Sequence, residues 1–242
     1  MVTKVFSVIQ PMAVPKGTPE FEEKRAALLQ ALEKTFPLEF YLPEHIIKNP
    51  PKDVSAVPKT CGLLSPEELD ITENYDAFGL AEAIAARKYT AVTVAKAFAK
   101  RAVIAHQLTC CLTQFFMDKA IEQASKLDEY LAKNGKPIGP LHGVPVSIKE
   151  HMPIAGTYSS EGKFSTIVYD EDDSQLVSIL RRAGAVFYCK TNQPQAIMHL
   201  ETDSFWGRTL CPYNINLSSG GSTGGEAALI AMKGSVLGIG TD

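Results

Sequence analysis

The spacing of hydrophobic residues divides the chain into a helix-rich first part and a second part in which strands and helices alternate. Up to residue 135 the apolar side chains recur every three or four positions, which is the period of an amphipathic helix. This spacing predicts helices over residues 18–36, 65–72, 76–90, 90–108 and 117–135.

Residues at the ends of these segments support the predicted helix boundaries. Short polar side chains that accept a backbone hydrogen bond favour the N-cap position, and Asn-Gly favours a C-terminus. The predicted N-caps are Thr18, Asp76 and Thr90, and Ser65 forms a capping box with Glu68.

A proline-rich segment, residues 41–62, interrupts the helical pattern. Proline breaks regular helix, so this segment is predicted to be an irregular arm that wraps around the protein. Its apolar side chains Tyr41, Ile46, Ile47 and Val57 are expected to be buried. We therefore predict a division into an N-terminal helix with its arm, residues 1–62, and a second unit, residues 63–242.

After residue 142 the pattern changes to short apolar runs separated by helices. Residues 143–150 and 185–191 are strand-like, residues 173–185 are helical, and residues 220–240 read as a glycine-rich loop, a helix and a strand. Alternating strands and helices predict the α/β class, with a largely parallel or mixed sheet flanked by helices.

Composition and charge exclude several classes of partner. The net charge of the 242-residue chain is -3, and neither nucleic acid nor an anionic membrane surface is an expected partner, since both favour a basic patch. The five cysteines are odd in number and form no CxxC motif, which is typical of reduced thiols and predicts a cytoplasmic location. No apolar run is long enough to cross a bilayer.

Two glycine pairs, Gly220–Gly221 and Gly224–Gly225, form a glycine frame around Ser222 and Thr223. A phosphate-binding loop requires lysine and a hydroxyl residue after its last glycine, but Glu226 and Ala227 follow here, so that function is disfavoured. A flexible turn before a helix remains one interpretation. The other is an active-site loop, in which the glycines let the backbone approach a ligand and fix the enclosed hydroxyl.

Lys149 is the candidate base, at the end of the strand-like run 143–150. Strand alternation places Val144, Val146 and Ile148 on one face and Pro145, Ser147 and Lys149 on the other. In a central strand Lys149 would be buried, which disfavours the charged amine and suits a general base. A solvated lysine paired with Glu150 is the alternative. His142 and His151 flank this run, but no third ligand at metal spacing accompanies them, so no metal or other cofactor is expected and both are predicted to be structural or gating residues.

Taken together, these segments resemble the amidase signature family. The resemblance rests on "GPLHGVPVSIKE", "GAVFYCKTNQPQAIM", "FWGRTLCPYN" and "SSGGSTGGEAALIAMKGSVLGIGTD", in that order, with Thr223 in place of the family's second serine. Upstream segments, including "DVSAVPKTCGLLSPEELDITENYDA", resemble the fungal acetamidase or general amidase branch.

The resemblance implies amide hydrolysis by a relay of two serines and a lysine. By motif Lys149 is the base, and Ser222 is the bridging serine with a cis peptide bond. Ser222 and either Ile197 or Met198 would line the substrate, a small carboxylic amide such as acetamide. The family's nucleophile follows in an I-G-G-S segment, after Asp242, so this chain is expected to hold an incomplete amidase signature domain and to be inactive alone. A non-catalytic short product or a binding module is the alternative.

Overall fold

A computed structural model of the protein describes residues 17–241, in which helices surround a four-stranded mixed sheet. Residues 1–16 of the predicted N-terminal unit, and Asp242, lie outside the described residues. The helices are α1 (Pro19–Glu33), α2 (Glu44–Lys48), α3 (Val57–Thr60), α4 (Pro66–Glu73), α5 (Ala77–Ala85), α6 (Ala91–Thr109), α7 (Met117–Asn134), α8 (Gln175–Arg182) and α9 (Gly224–Ala231), with 3-10 turns at Leu38–Phe40 and Phe164–Thr166.

The main sheet has the strand order β1–β5–β2–β10. These strands are β1 (Leu112–Phe115), β2 (Pro145–Lys149), β5 (Val186–Thr191) and β10 (Gly238–Ile239). Strand β2 pairs in parallel with both β5 and β10, whereas β1 pairs with β5 in the antiparallel direction. The predicted α/β class with a mixed sheet is therefore confirmed.

Three small antiparallel pairs complete the strand set. They are β3 (Thr157–Ser159) with β4 (Val168–Asp170), β6 (Asp203–Ser204) with β7 (Gly207–Arg208), and β8 (Leu210–Cys211) with β9 (Asn214–Ser218). The sequence reasoning found neither these pairs nor β1, because strands of two to five residues are too short to establish a period of two.

The sheet lies between two hydrophobic clusters. On one face the long helix α6 packs with α7, α4 and α9 in a large core that includes Phe98 and Tyr188. On the other face a smaller cluster contains Val146, Ile148 and Phe187. The alternation predicted for β2 is thus observed, and it leaves Ser147 and Lys149 on the opposite side from Val146 and Ile148.

The predicted helix ends agree with the structure. The side chains of Thr18, Asp76 and Thr90 each accept a backbone hydrogen bond from the residue three positions later. Ser65 and Glu68 form both hydrogen bonds of the capping box. Helix α7 ends at Gly135, whose φ of +69° is the left-handed conformation that favours glycine.

The proline-rich arm differs from the prediction in two respects. It contains the short helices α2 and α3, because Pro43 and Pro58 lie at a helix start, where a missing N–H breaks no helical hydrogen bond. Burial was also predicted incorrectly for Tyr41 and Ile47, which are 39% and 42% exposed, although Val57 is buried.

Neighbouring segments hold the arm in place through main-chain hydrogen bonds. Val54 N donates to Pro212 O over 2.8 Å, and Ile215 N donates to Lys52 O over 2.9 Å. These hydrogen bonds need no apolar side chain, so the arm can be anchored while Tyr41 and Ile47 face solvent. The division of the chain at residue 62 stays a prediction.

Candidate active site

Lys149 is completely buried at the end of β2, between β5 and β10. Its Nζ lies 2.7 Å from Ser222 Oγ, 3.2 Å from Thr223 Oγ1 and 2.7 Å from Thr241 Oγ1. The alternative of a solvated surface lysine is therefore wrong. The sequence predicted that Lys149 and Ser222 would meet, and the structure brings them into hydrogen-bond contact.

Hydrogen bonds around Lys149 restrict how its protons are shared. Thr223 Oγ1 donates its hydrogen to Thr241 O over 2.9 Å, so it accepts from Lys149. A neutral amine has two hydrogens and one lone pair. An amine that donates to Thr223 and Thr241 can accept the hydroxyl hydrogen of Ser222 through that lone pair. The arrangement suits proton transfer from Ser222 to Lys149.

The glycines around Ser222 allow two other segments to approach the loop closely. A Cβ on Gly221 would lie 2.7 Å from His199 O. A Cβ on Gly224 would overlap Thr202 Oγ1, and one on Gly225 would overlap the backbone of Asn192. Such close contact favours the packed loop over the flexible turn.

Hydrogen bonds fix the same loop from both sides. Thr202 N donates to Gly220 O over 2.8 Å, and Gly224 N donates to Thr202 Oγ1 over 3.0 Å. Gly225 N donates to Asn192 O, just beyond β5. Gly220 has a φ of +78°, and the Gly221–Ser222 peptide bond is cis, as the family resemblance implied. Helix α9 therefore starts at a fixed position beside Ser222.

Glu226, in the first turn of α9, is buried against strands β2 and β5 of the sheet. Its carboxyl accepts hydrogen bonds from Ser147 Oγ and from Thr191 Oγ1, the latter over 2.7 Å. Burial raises the pKa of Glu226 to about 7, because the surrounding apolar medium disfavours the charged form, and the two hydroxyl hydrogen bonds only partly oppose this effect.

A second buried carboxyl follows Lys149 directly. Glu150 accepts from Ser160 Oγ over 2.6 Å and from Gln193 Nε2 over 3.2 Å, and burial raises its pKa. It is therefore not the surface partner of Lys149 that the alternative interpretation required. His151 contacts Gln193 Oε1, and burial lowers the pKa of His151.

His142 has a structural contact. Its Nδ1 accepts a hydrogen bond from Ile138 N over 3.1 Å, which fixes the turn that leads into β2. A gating role for either histidine stays a prediction.

The two candidates for the substrate-lining position lie on the loop that runs beside the glycine frame. Ile197 is half-buried, whereas Met198 is 89% exposed. Ala196 and Ile197 both have positive φ values, +60° and +67°, which is strained for a β-branched residue such as isoleucine. The choice between Ile197 and Met198 stays a prediction.

An open cavity of about 560 Å³ adjoins this loop. Its lining includes Phe21, Arg25, Lys163, Gln195 and Phe205, but neither Lys149 nor Ser222. The Lys149–Ser222 contact therefore lies outside the lining of this cavity.

Within residues 17–241, no group of three or more His, Cys, Asp or Glu side chains is placed to hold a metal ion. Within the same residues, no helix combines the length and the apolar character needed to cross a membrane. The five cysteines, all of which are described, form no disulfide with one another.

Sequence reasoning missed several residues that shape the site. Thr241 and Thr223 both contact Lys149, and Thr202 and Asn192 fix the loop. Their partners are 18 to 92 positions away, so no local pattern revealed them. Glu226 had a usable signal: it is a charged residue at the start of a mainly apolar helix.

Comparison with known proteins identifies the relatives of this chain. The family model "Amidase" matches residues 93–242. The acetamidase of Emericella nidulans is 46% identical over 226 residues, which cover 92% of this chain and 40% of that protein. The acetamidase of Aspergillus oryzae is 43% identical over 224 residues, with the same two coverages.

The fold has a close counterpart among solved structures. A structure of fatty acid amide hydrolase superposes with a TM-score of 0.85 at 39% identity, and the match covers 93% of this chain and 40% of that one. The chain thus spans 40% of the length of each of these relatives.

Proposed function

Because the chain belongs to the amidase family, we propose that it contributes the proton-transfer residues of an enzyme that hydrolyses carboxylic amides. Lys149 acts as the general base and Ser222 as the bridging serine. The observation that carries this proposal is the distance of 2.7 Å between Lys149 Nζ and Ser222 Oγ, with the lysine fully buried.

In this reaction the neutral Lys149 accepts the hydrogen of Ser222 Oγ, and Ser222 in turn accepts the hydrogen of an attacking serine. That serine forms a bond with the amide carbonyl carbon. The same relay then returns a proton to the departing amine nitrogen, and water hydrolyses the acyl-enzyme. By resemblance, the attacking serine and the oxyanion donors belong to the family's I-G-G-S segment. The described residues supply the base and the relay.

The surroundings of Lys149 support this role. Lys149 Nζ donates to Thr223 Oγ1 and to Thr241 Oγ1, and in the neutral amine the lone pair can accept the hydrogen of Ser222 Oγ. Burial keeps water away from the amine, and the glycine frame fixes Ser222 against the loop that contains Thr202. A base fixed in this way needs little reorganisation when the proton moves.

Small aliphatic amides are the proposed substrates, with acetamide as the first to test. Two relatives with 46% and 43% identity are named acetamidases, which supports this choice. Ser222 and one of Ile197 and Met198 are the proposed substrate contacts within this chain.

The test is an acetamide hydrolysis assay on the product of the complete open reading frame. Lys149→Met keeps a side chain of similar length without the amine, and it should lower kcat by about 10²- to 10⁴-fold, the usual contribution of a general base. Lys24→Met, at an exposed lysine of α1, is the control and should leave kcat unchanged. Undiminished turnover in folded Lys149→Met would refute the base role.

A further inference from the structure

We infer that Glu226 is a positioning residue whose buried carboxyl connects the strand that carries Lys149 to the helix that begins just after Ser222. This inference rests on the proposed function, since it concerns the geometry of the same proton relay. Glu226 does not contact Lys149 Nζ or Ser222 Oγ directly. It acts through strands β2 and β5 and helix α9, which hold these two groups in position.

The Glu226 carboxyl contacts one residue on the same strand as Lys149 and one residue on the adjacent strand. Ser147, which donates to Glu226, lies two residues before Lys149 on the same face of β2. Thr191, the other donor, is the cross-strand partner of Lys149 in β5. One carboxyl on α9 therefore fixes the backbone on two sides of the lysine.

A third strand also packs against this carboxyl. Gly238 of β10 pairs with Ser147, and a Cβ at residue 238 would overlap Glu226 Oε1. The same strand leads to Thr241, which contacts Lys149 Nζ. Glu226 is thus placed where β5, β2 and β10 meet the start of α9.

The cost of burying this group indicates a role beyond filling space. The partners that the structure gives to the carboxyl are the hydroxyls of Ser147 and Thr191, and neither carries a charge. Burying a carboxyl without a cation is unfavourable, and an apolar side chain of similar size would fill the same volume without that penalty. Two directional hydrogen bonds fix the distance of α9 from β2 and β5. Apolar packing would restrict this distance less strictly.

A glutamine at this position can reproduce both contacts. Its Oε1 can accept from Thr191, and its Nε2 can donate to Ser147. Ser147 Oγ lies 2.7 Å from Ser235 Oγ, so its own hydrogen has an acceptor there. Glu226→Gln should therefore preserve the position of α9, whereas Glu226→Ala removes both hydrogen bonds.

The first experiment compares steady-state kinetics of acetamide hydrolysis in the product of the complete open reading frame. Glu226→Ala should lower kcat by about 10- to 100-fold, because a displacement of about 1 Å can cost a factor of 10². Its KM should change by less than about threefold, since the substitution removes no side chain that is proposed to contact the substrate. Glu226→Gln should restore kcat to within about threefold of the wild type.

A matched control separates positioning from general stability. Glu73→Gln weakens the ion pairs of Glu73 with Arg101 and with Lys233, the latter just beyond the other end of α9. It should lower Tm and leave kcat unchanged. Two outcomes would overturn the inference. One is that Glu226→Ala lowers Tm but not kcat, as expected for the control. The other is that Glu226→Gln has a kcat as low as that of Glu226→Ala.

A second measurement does not depend on activity. In a crystal structure of Glu226→Ala, the distance from Lys149 Nζ to Ser222 Oγ should exceed about 3.5 Å, the limit of a hydrogen bond. Should the wild type fail to hydrolyse amides, the proposed function fails, while this distance still decides the positioning role. An unchanged distance would overturn it. Where Glu226→Ala does not fold, Thr191→Val keeps the side-chain shape, removes one of the two hydrogen bonds, and should show the same changes to a smaller extent.

Discussion

Thr202 Oγ1 accepts the hydrogen bond of Gly224 N over 3.0 Å and occupies the space that a side chain at residue 224 would need. Gly224→Ala should therefore lower the free energy of unfolding by about 1–3 kcal/mol, the usual cost of overpacking. Urea denaturation of the two proteins measures the difference.

Gly79→Ala, in the first turn of α5, is the control for this substitution. A Cβ at residue 79 would meet only side chains, at 3.3 Å or more, and alanine favours helix more than glycine does. Its free energy of unfolding should stay constant or rise by up to about 1 kcal/mol. Equal losses in both variants would contradict the close packing of Thr202 against Gly224.

Glu226 should make stability depend on pH. Its pKa is raised to about 7 in the folded protein from an ordinary value of 4.5, so the folded state holds a proton that the unfolded state releases. The contribution of Glu226 to the free energy of unfolding should consequently fall, by up to about 3 kcal/mol, as the pH rises from 4.5 to 7. Thermal unfolding at pH 5 and pH 8 should show that Glu226→Gln is less sensitive to this change than the wild type. Parallel pH profiles for the two proteins would rule out this contribution.

Lys190 and Asp170 form a buried ion pair, with Nζ and Oδ2 2.9 Å apart. Lys190→Met should cost about 3–5 kcal/mol of stability, because it leaves the Asp170 carboxylate buried without its cation. Lys24→Met, which breaks the exposed pair with Glu20, is the matched control and should leave stability nearly unchanged. Chemical denaturation measures the free energy of unfolding of both variants. If Lys190→Met loses as little stability as Lys24→Met, the buried Asp170 carboxylate does not need Lys190 as its partner.

His106 should contribute to unfolding in acid. Its Nδ1 accepts a hydrogen bond from Leu112 N at the start of β1, and burial lowers its pKa to about 4. Since the ordinary value is 6.5, the neutral form is favoured in the folded state, and stability should be lost as the pH falls from 6.5 towards 4. Over this range the urea midpoint of the wild type should decrease relative to that of His106→Gln, whatever other groups titrate in both proteins. His45→Gln, at an exposed histidine, should behave like the wild type.

The parts of the fold that could be predicted from sequence are those with local signals. Thr18, Ser65, Asp76 and Thr90 act on residues three positions away, so the capping residues are recognisable without tertiary structure. The alternation around Lys149 was also predictable, because Val146 and Ile148 pack into an apolar cluster whereas Ser147 and Lys149, on the other side of β2, make hydrogen bonds. The meeting of Lys149 with Ser222 followed from the paired motifs of the family, and their catalytic roles stay predictions.

The parts that escaped prediction depend on contacts between distant segments. Pro43 directly precedes α2 and Pro58 is the second residue of α3. A proline is taken as a helix breaker when its position relative to the helix start is unknown. Tyr41 was expected inside because it is apolar, but main-chain hydrogen bonds to Pro212 and Ile215 hold the arm instead. The burial of Glu226 requires Ser147, Thr191 and Gly238 to converge, and no local period encodes that convergence.

The position of β10 at the edge of the sheet has a consequence for the order of folding events. Thr241 contacts Lys149 across 92 positions of the chain, and β10 pairs directly with β2. Closing so long a loop is entropically costly, so contacts of this kind are expected to form late and to slow folding. We therefore expect the surroundings of Lys149 to be completed after the helices have formed, and in pulsed hydrogen exchange the amides of α6 should gain protection before those of β10.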